Sequence, residues 1–355
     1  MNTRFKLPFF SLFLFLLLGF SVSCDDDDDA PESLAGDFVI VNEGNFGQGN
    51  GSISVYNRNS DAVENNVFAS ANDGRTLGAN VQSVSVHDEV AFVVCNAADK
   101  IEIIDANNFE ALQAPLADSA LVSPRYLAVS GNKAYVSVWG PFDSIFALNE
   151  SKVAVIDLSD YTIMQYLNVA AGPEGIIAAD DQVYVANSFS NTITVIDTNS
   201  DEVIEEIILE GSPLLFAKNG ADVWVSVKGA SAQFVRINTS DNSIAETISV
   251  TDSNSNGKFV INQSLSKIYF IGAESFPSTS TTLQELSLDD TSSGIETLIS
   301  GDHFYGVGTD PANDDILLGN SNSFQGEGTV LRYNTLGDLL QTYAVGVGPN
   351  NFIIQ

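Results

Sequence analysis

The chain is short of basic residues and of histidine, and each shortage argues against a class of function. Lysine and arginine number 14 against 46 acidic residues, so the formal net charge is −32. Such a surface repels phosphate backbones, and nucleic acid is therefore not an expected partner. The two histidines, His87 and His303, belong to no set with zinc-ligand spacing, and no GxSxG nucleophile motif occurs. We therefore expect no enzyme, no catalytic residue, no metal and no cofactor.

Cysteine is nearly absent too, and its two positions differ in surroundings. Cys24 follows a basic start, an apolar run over residues 7–20 and the small-residue segment SVS. This order is that of a secretory signal, residues 1–23, and is too short for a membrane span. It resembles a bacterial lipoprotein signal, in which the cysteine becomes the lipidated first residue. Ser21 stands where leucine or valine is usual, so an ordinary signal peptide is the alternative.

Five aspartates, residues 25–29, follow Cys24 directly. Adjacent carboxylates repel one another and have no fixed geometry, so residues 24–36 are interpreted as a solvated, lipid-anchored tether and not as a metal site. The only other cysteine, Cys95, has no partner for an intramolecular disulfide once Cys24 is lipidated. It lies in the apolar run AFVVCN, where a buried side chain is expected in preference to a nucleophile.

From residue 37 onward the chain consists of short β-branched and aromatic runs between Gly, Asn, Asp and Ser clusters, and no helical periodicity persists. Seven related runs recur at intervals of about 40 to 52 residues, the length of a four-stranded propeller blade. They are KIEIID, KVAVID and TITVID, with weaker copies in SISVYN, FVRIN, LQELSLD and VLRYN. The sequence thus predicts an all-β, seven-bladed β-propeller of four-stranded antiparallel blades over residues 37–355.

The two ends of the repeat region complement each other. The chain ends in VGVGPNNFIIQ, which matches the blade opening VAAGPEGIIAA, while the segment DFVIVNEG near residue 37 matches a second strand with no first strand before it. We therefore expect the C-terminal strand to pair with N-terminal strands and close the ring.

Loops before the inner strands and between second and third strands share one propeller face, and here they are long and rich in aromatic residues. Exposed aromatics among adaptable polar residues are typical of ligand sites, although each ring could instead pack beneath its own loop. Asparagines at strand ends could equally be structural. Two calcium-like stretches, at 252–263 and 197–201, depart from the EF-hand pattern and are not expected to bind metal. The candidate ligand-binding residues are Asn42, Phe46, Arg125, Trp139, Phe142, Glu174, Asn187, Phe189, Phe276, His303, Tyr305, Phe324 and Asn350.

The strand VYVAN, with NEGNFGQGNGSISVYN and SPRYLAVSGNKAYVSVWG, resembles the YVTN-type propeller lipoproteins on the surface of Bacteroidota. Some of these capture vitamin B12 above a TonB-dependent transporter in the outer membrane. An acidic stretch after the lipidated cysteine resembles the signal for export to the cell surface. The resemblance thus implies an outer-membrane, surface-exposed location, membrane contact through the lipid anchor alone, a corrinoid ligand and a transporter partner, with the chain otherwise monomeric.

Three hypotheses for function follow. The first is a non-enzymatic protein that captures a small-molecule nutrient, with a corrinoid as the specific candidate, and delivers it to a TonB-dependent transporter. The second is a scaffold or adhesion propeller that binds another protein through the same face. The third is a metal-assisted lactonase or lyase, for which the face offers His303 alone.

Overall fold

The computed structural model describes Met1 and residues 38–354, apart from 79, 221, 251–253 and 275–277. The chain divides into two units, Met1–Ser33 and Leu34–Gln355, and all the strands given below belong to the second. The signal peptide, Cys24, the acidic tether, Phe276 and the start of the first calcium-like stretch lie outside the described residues, so the statements about them stay predictions.

The described residues form short antiparallel strands with one brief α-helix, α1 (Val67–Ala71), and no described helix has the length and apolar character of a membrane span. In chain order the strands are β1 (Phe38–Asn42), β2 (Ser52–Asn57), β3 (Ala62–Asn65), β4 (Val81–His87), β5 (Val90–Cys95), β6 (Lys100–Asp105), β7 (Pro124–Ser130), β8 (Lys133–Val138), β9 (Lys152–Asp157), β10 (Thr162–Asn168), β11 (Pro173–Ala179), β12 (Gln182–Asn187), β13 (Thr192–Asp197), β14 (Glu202–Ile208), β15 (Ser212–Asn219), β16 (Asp222–Lys228), β17 (Ala232–Asn238), β18 (Ser243–Val250), β19 (Asn254–Ile261), β20 (Lys267–Ala273), β21 (Ser280–Ser287), β22 (Ile295–Asp302), β23 (Phe304–Thr309), β24 (Ile316–Asn320), β25 (Gly328–Tyr333), β26 (Leu339–Val345) and β27 (Pro349–Ile354).

These strands form seven sheets, which are the blades of a propeller, and the predicted fold is confirmed. Blade one combines β27 with β1 to β3. Blade two contains β4 to β6, and the next five blades take four consecutive strands each, from β7 to β26. The inner strand of each blade lies against those of its neighbours, so β4, β7, β11, β15, β19, β23 and β27 surround a central channel.

Blade two differs from the other six because its described residues form only three strands. Two isolated bridges, Ile101 with Leu116 and Ile104 with Ala111, run along the outer edge of β6 where a fourth strand would lie. Pro115 lies between their outer partners and has no N–H to donate, which explains why this segment does not continue as a regular strand.

The hydrophobic runs fold as strands because both faces of each blade are covered by the neighbouring blades. On β5, Ala91, Val93 and Cys95 pack against blade one, while Phe92 and Val94 pack against blade three. Each of the seven blade-to-blade interfaces holds its own cluster of buried apolar side chains. Burial raises the pKa of the Cys95 thiol to about 12, so this cysteine is a core residue, as the apolar run AFVVCN indicates.

The ring closes by pairing β27 with β1, in the manner that the complementary termini predict. Phe38 lies opposite Ile354, and Ile40 lies opposite Phe352. A second contact, outside the strands, also holds the ring closed. The two terminal nitrogens of the Arg58 guanidinium, Nη2 and Nη1, donate to the Asp310 carboxylate at 2.7 and 2.8 Å. Because Arg58 follows β2 and Asp310 follows β23, this ion pair joins blade one to blade seven.

The second calcium-like stretch, residues 197–201, is the hairpin turn between β13 and β14 of blade four, and it contacts blade three. The Asp197 carboxylate accepts the backbone N–H groups of Asn199 and Ser200. Asp201 accepts hydrogen bonds from Lys133 at 2.6 Å and from the Tyr135 hydroxyl at 2.5 Å, both on blade three. These carboxylates therefore have structural partners.

Candidate functional site

All seven inner strands shift register against the second strand of their blade at the same end of the channel. A bulge of this kind leaves extra residues unpaired and redirects their side chains. The unpaired residues are Gln82, Arg125, Tyr126, Glu174, Gly175, Leu214, Leu215, Asn256, Gly257, Lys258, Tyr305 and Asn350.

These bulges form the lining of a cavity of about 180 Å³ at the channel mouth. It is lined by Gln82, Arg125, Tyr126, Glu174, Leu214, Leu215, Asn256, Lys258 and Tyr305 from the inner strands, and by Glu43 from the loop after β1. A second cavity, of about 140 Å³, shares Tyr126, Leu215 and Lys258 with the first and also contacts Asn350. The Lys258 ammonium approaches the Tyr126 hydroxyl at 3.4 Å.

Arg125 and Glu174 form a nearly buried ion pair in this cavity. The guanidinium donates to both carboxylate oxygens of Glu174, at 2.6 and 2.9 Å, and stacks over the Trp139 ring at 4.2 Å. Burial alone would lower the pKa of Arg125, but the Glu174 carboxylate overrides burial, and the pKa is raised. Arg125 therefore stays protonated, and Glu174 is its ionic partner within the site.

Glu43 is held in the cavity by neutral donors. The Tyr305 hydroxyl donates to it at 2.6 Å, and the amides of Asn350 and Asn80 donate at 3.2 and 3.3 Å. Burial, and then the adjacent Glu43 carboxylate, raise the pKa of Tyr305 well above its usual range. The phenol therefore stays protonated and serves as a donor to Glu43.

On two of the second strands, β8 and β16, a serine fixes the bulge and ties it to the next blade. The Ser226 hydroxyl accepts the backbone N–H of Leu215 at 3.2 Å and donates to the carbonyl of Gly257 at 2.9 Å. Ser137 makes the same connection from Tyr126 to the Glu174 carbonyl, at 3.1 and 2.6 Å. The cavity lining is thus supported by buried hydrogen bonds of the sheets.

Above the Arg125 side of the cavity lies an aromatic cluster, which consists of Trp139, Phe142, Phe146 and Phe189. Ring centroids of Trp139 lie 5.9 Å from Phe142 and 5.4 Å from Phe189, in edge-to-face geometry. Phe142, Phe146 and Phe189 nevertheless remain 44%, 81% and 55% exposed. Rings that are held together and still exposed give a preformed apolar surface for another molecule.

The loop that carries this cluster is held by one carboxylate. Asp143 accepts the backbone N–H groups of Ile145 and Ala147, both at 2.9 Å, and the Asn149 amide at 2.7 Å. These hydrogen bonds, with that from Ala147 first, lower the pKa of Asp143. The carboxylate therefore stays ionised, and the loop keeps its shape while its apolar side chains point outward.

A second pair of rings lies on the blade seven side, where Phe324 packs edge-to-face on Tyr305 at 5.0 Å. The adjacent loop after β1 is joined to it by the Asn45 amide, which donates to the Phe324 carbonyl at 2.9 Å. Phe46 in that loop is 80% exposed. Aromatic side chains thus border the channel mouth on two sides.

Not every residue predicted from the sequence lies at this site. Asn42 and Asn187 are fully buried, and their amides donate to hydroxyls of Ser54 and Thr194 on the neighbouring strands, at 2.8 and 2.9 Å. We correct the prediction for both: they hold the second strand to the third and do not face a ligand. His303 has a positive φ of 61° at the turn before β23 and is not part of the lining of either cavity.

Several described residues at the site were missed from the sequence. Glu43 comes directly after Asn42 at the end of β1, and only ring closure brings it to Tyr305, 262 positions away. Tyr126 and Gln82 lie at the start of blade-opening strands, so a comparison of the repeats could have indicated them. Ile145 and Phe146, 80% and 81% exposed, continue the run that contains Phe142 and were visible as apolar residues in a loop.

Comparison with known proteins supports the fold and adds a family. The family described as "Domain of unknown function (DUF5074)" matches residues 36–346 of the chain. No curated protein sequence matches the chain.

Three solved structures are similar at 13–16% identity, a level that shows the fold alone. A quinonprotein alcohol dehydrogenase-like protein of Bacteroides thetaiotaomicron is 13% identical, with a TM-score of 0.67 over 90% of this chain and 78% of that one. A 6-phosphogluconolactonase-like protein of Bacteroides uniformis is 14% identical, with a TM-score of 0.64 over 89% and 99%. Hydrazine synthase of Kuenenia stuttgartiensis is 16% identical, with a TM-score of 0.60 over 74% and 85%.

Proposed function

For this chain, which belongs to the DUF5074 family, we propose a non-enzymatic role in which the loop-rich propeller face captures a small-molecule nutrient. The specific candidate is a corrinoid, which the protein would deliver to a TonB-dependent transporter of the outer membrane. The protein itself would be held at the cell surface by a lipid on Cys24.

The observation that carries the proposal is the exposed aromatic cluster beside a polar cavity whose Arg125 and Glu174 are already paired. Ligand sites commonly combine apolar walls with a few fixed polar groups that set orientation. Here Phe142 and Phe189 offer apolar surface, while Arg125 is fixed beneath them between Glu174 and Trp139. A broad ligand with an apolar face and polar side groups suits this arrangement.

The size of the cavity indicates how such a ligand would lie. A volume of about 180 Å³ equals roughly six water molecules at the liquid's share of about 30 Å³ each, far less than a corrinoid occupies. A corrinoid would therefore rest on the face, against the aromatic cluster, and would extend at most a side group into the channel.

Isothermal titration calorimetry with cyanocobalamin and cobinamide tests the proposal. We expect binding by the wild-type protein and at least a tenfold loss of affinity in the double variant Phe142→Ala/Phe189→Ala, because removal of both rings takes away the apolar surface. The matched control is Ile204→Ala/Ile208→Ala, which removes exposed apolar side chains from β14 at the outer edge of blade four. No heat of binding with wild-type protein at micromolar concentration would end the corrinoid version.

The lipid anchor and location are tested separately. We expect Cys24→Ala, or growth with globomycin, to release the protein from the membrane fraction. Unchanged membrane association in both experiments would contradict the anchor.

The neighbouring genes test the delivery step, because delivery requires a TonB-dependent receptor. An operon without such a receptor gene would argue against delivery.

A protein ligand is the second candidate, and one specific observation favours it. Ile145 and Phe146 extend from the Asp143 loop with about four fifths of each side chain exposed, more than a small ligand on the cluster needs. Apolar residues at an exposed tip are typical of protein contacts. Loss of a co-purified protein partner from Phe146→Ala, with corrinoid binding absent in the wild type, would favour this candidate.

Substitution of His303 distinguishes an enzymatic role from both binding functions. Propeller folds also occur in enzymes, and the lactonase-like structure above is one similar example. Within the described residues no cluster of His, Cys, Asp and Glu side chains is arranged to hold a metal ion. If a lactonase or lyase activity is detected, its loss in His303→Ala would overturn the non-enzymatic proposal.

A further inference from the structure

Two charged groups at the channel mouth lack an ionic partner, unlike the Arg125 and Glu174 pair. Lys258 is half-buried, and within the described residues no carboxylate lies within 4.0 Å of its ammonium, which contacts only the Tyr126 hydroxyl at 3.4 Å. Elsewhere Lys100, Lys133 and Lys267 each approach a carboxylate within 2.9 Å. In a chain with 46 acidic and 14 basic residues, a cation left in a cavity without a counter-ion is unusual.

The opposite charge belongs to Glu43. Its three described donors, Tyr305, Asn350 and Asn80, are all neutral, and no Lys or Arg nitrogen of the described residues lies within 4.0 Å of its carboxylate. An ionised carboxylate has about four acceptor positions, which leaves it able to accept another bond. Glu43 and Lys258 line the same cavity, so one small molecule can reach both.

A third group, Asn350, fixes the position of Glu43 and leaves one of its own acceptors unpaired. Asn350 is 1% exposed, and its amide nitrogen donates to Glu43 and to the Gln82 carbonyl, which fixes the orientation of the amide. Its Oδ1 atom has no partner among the described residues, and Asn350 lines the second cavity, of about 140 Å³, together with Lys258. A buried acceptor without a donor costs about 1–3 kcal/mol, and the fold tolerates this cost where Asn350 holds the Glu43 carboxylate.

We infer that the channel mouth is a second binding site, for a small zwitterion of the α-amino acid class. The ligand carboxylate lies against the Lys258 ammonium, and the ligand ammonium donates to Glu43. A simple carboxylate would gain from Lys258 but would be repelled by Glu43, and a simple amine would meet the reverse, whereas a zwitterion matches both signs. The cavity of about 180 Å³ accepts a molecule of this size but not a cofactor-sized one.

Ligand-observed NMR titration with three matched compounds tests the inference. L-serine carries both charges, L-serinamide lacks the carboxylate, and glycerate replaces the ammonium by a hydroxyl. We expect saturable binding of serine, with serinamide and glycerate at least tenfold weaker. Equal binding of all three, or no saturable binding of serine, would overturn the inference.

Two variants assign each charge to its side chain. In Lys258→Met the preference for serine over serinamide should disappear, and in Glu43→Gln the preference for serine over glycerate should disappear. The control is Lys218→Met, which should bind serine as the wild type does. Lys218 is exposed and lies near the end of β15, away from the cavity-lining residues Leu214 and Leu215. An unchanged serine preference in a folded Lys258→Met, checked by circular dichroism, would contradict the assignment.

This second site shares the loop-rich face with the proposed nutrient site but does not depend on it. Phe142→Ala/Phe189→Ala should leave serine affinity within twofold of the wild type, because neither ring lines the cavity. If the protein binds serine but no corrinoid, only the corrinoid proposal fails. If it binds a corrinoid but not serine, only the zwitterion site fails.

Discussion

Asn187 and Phe189, two positions apart where β12 ends, show that a buried residue can be structural while its exposed neighbour serves recognition. Asn187 is fully buried at the end of β12, whereas Phe189 is 55% exposed in the turn that follows. The Asn187 amide donates to Thr192 and Thr194, at 3.1 and 2.9 Å, and so holds the second strand of blade four to the third. The aromatic ring contributes to the cluster on the face.

Substitution of each residue by alanine should therefore have opposite effects. We expect Asn187→Ala to lower the free energy of unfolding by about 1–3 kcal/mol, because the buried Thr194 hydroxyl and the half-buried Thr192 hydroxyl lose their donor, with ligand affinity unchanged. Phe189→Ala should weaken ligand binding while stability stays within about 0.5 kcal/mol of the wild type, as is usual for exposed positions. Urea unfolding and calorimetry measure the two effects, and a stable Asn187→Ala with weakened binding would contradict this division.

The sequence alone could not make that distinction. Asparagine at a strand end suits a turn, a strand-to-strand contact and a ligand contact equally well, and only the paired positions of the hydroxyls on β13 decide among them. The aromatic candidates were easier to assign, because Trp139, Phe142 and Phe189 lie between strong strand signals and so had to be in loops on the same face.

At the level of elements, the bulges of the inner strands create the site. A bulge arises from the pairing of two strands, so neither strand carries a recognisable sign of it before the sheet is known. Blade number and ring closure were predictable because the repeats are local and the end segments match. The three-stranded form of blade two was not, because its missing strand depends on how residues 110–116 meet β6.

Ser226 offers a test of how much these bulges depend on the second strands. In Ser226→Ala the Leu215 N–H and the Gly257 carbonyl both lose their buried partner, so we expect a loss of about 1–3 kcal/mol in the free energy of unfolding. Ser240→Ala, in the exposed hairpin of the same blade, is the control and should change stability by less than about 0.5 kcal/mol. Equal effects of the two variants in urea unfolding would show that the serine does not support the bulge.

The whole molecule is held as a ring by the pairing of its two ends, and the Arg58–Asp310 contact adds an electrostatic component. The Asp310 side chain is fully buried. Burial alone would raise its pKa, but the hydrogen bonds from Arg58 override burial, and the pKa of Asp310 is lowered. A carboxyl whose pKa is lower in the folded state stabilises the fold at neutral pH and loses that contribution as the pH falls.

Closure should therefore weaken in acid in a way that depends on Asp310. The contribution is complete above the unfolded-state pKa of about 3.9 and declines as the pH falls from there through the lower folded-state value. We expect Asp310→Asn to be less stable than the wild type at pH 7, by about 3 kcal/mol, and to lose less further stability in acid. Urea unfolding between pH 7 and pH 3 measures both curves, and parallel curves would contradict a role for Asp310 in acid sensitivity.

The central claim is that the loop-rich face of the ring is a binding surface, and hydrogen–deuterium exchange with bound ligand tests it most directly. With saturating cobinamide, we predict slower exchange in residues 139–149 and 187–191, which carry the aromatic cluster, and unchanged exchange in the hairpins at 57–61 and 197–201 on the opposite face. Protection confined to the opposite face, or binding with no protection of the two aromatic segments, would contradict the account.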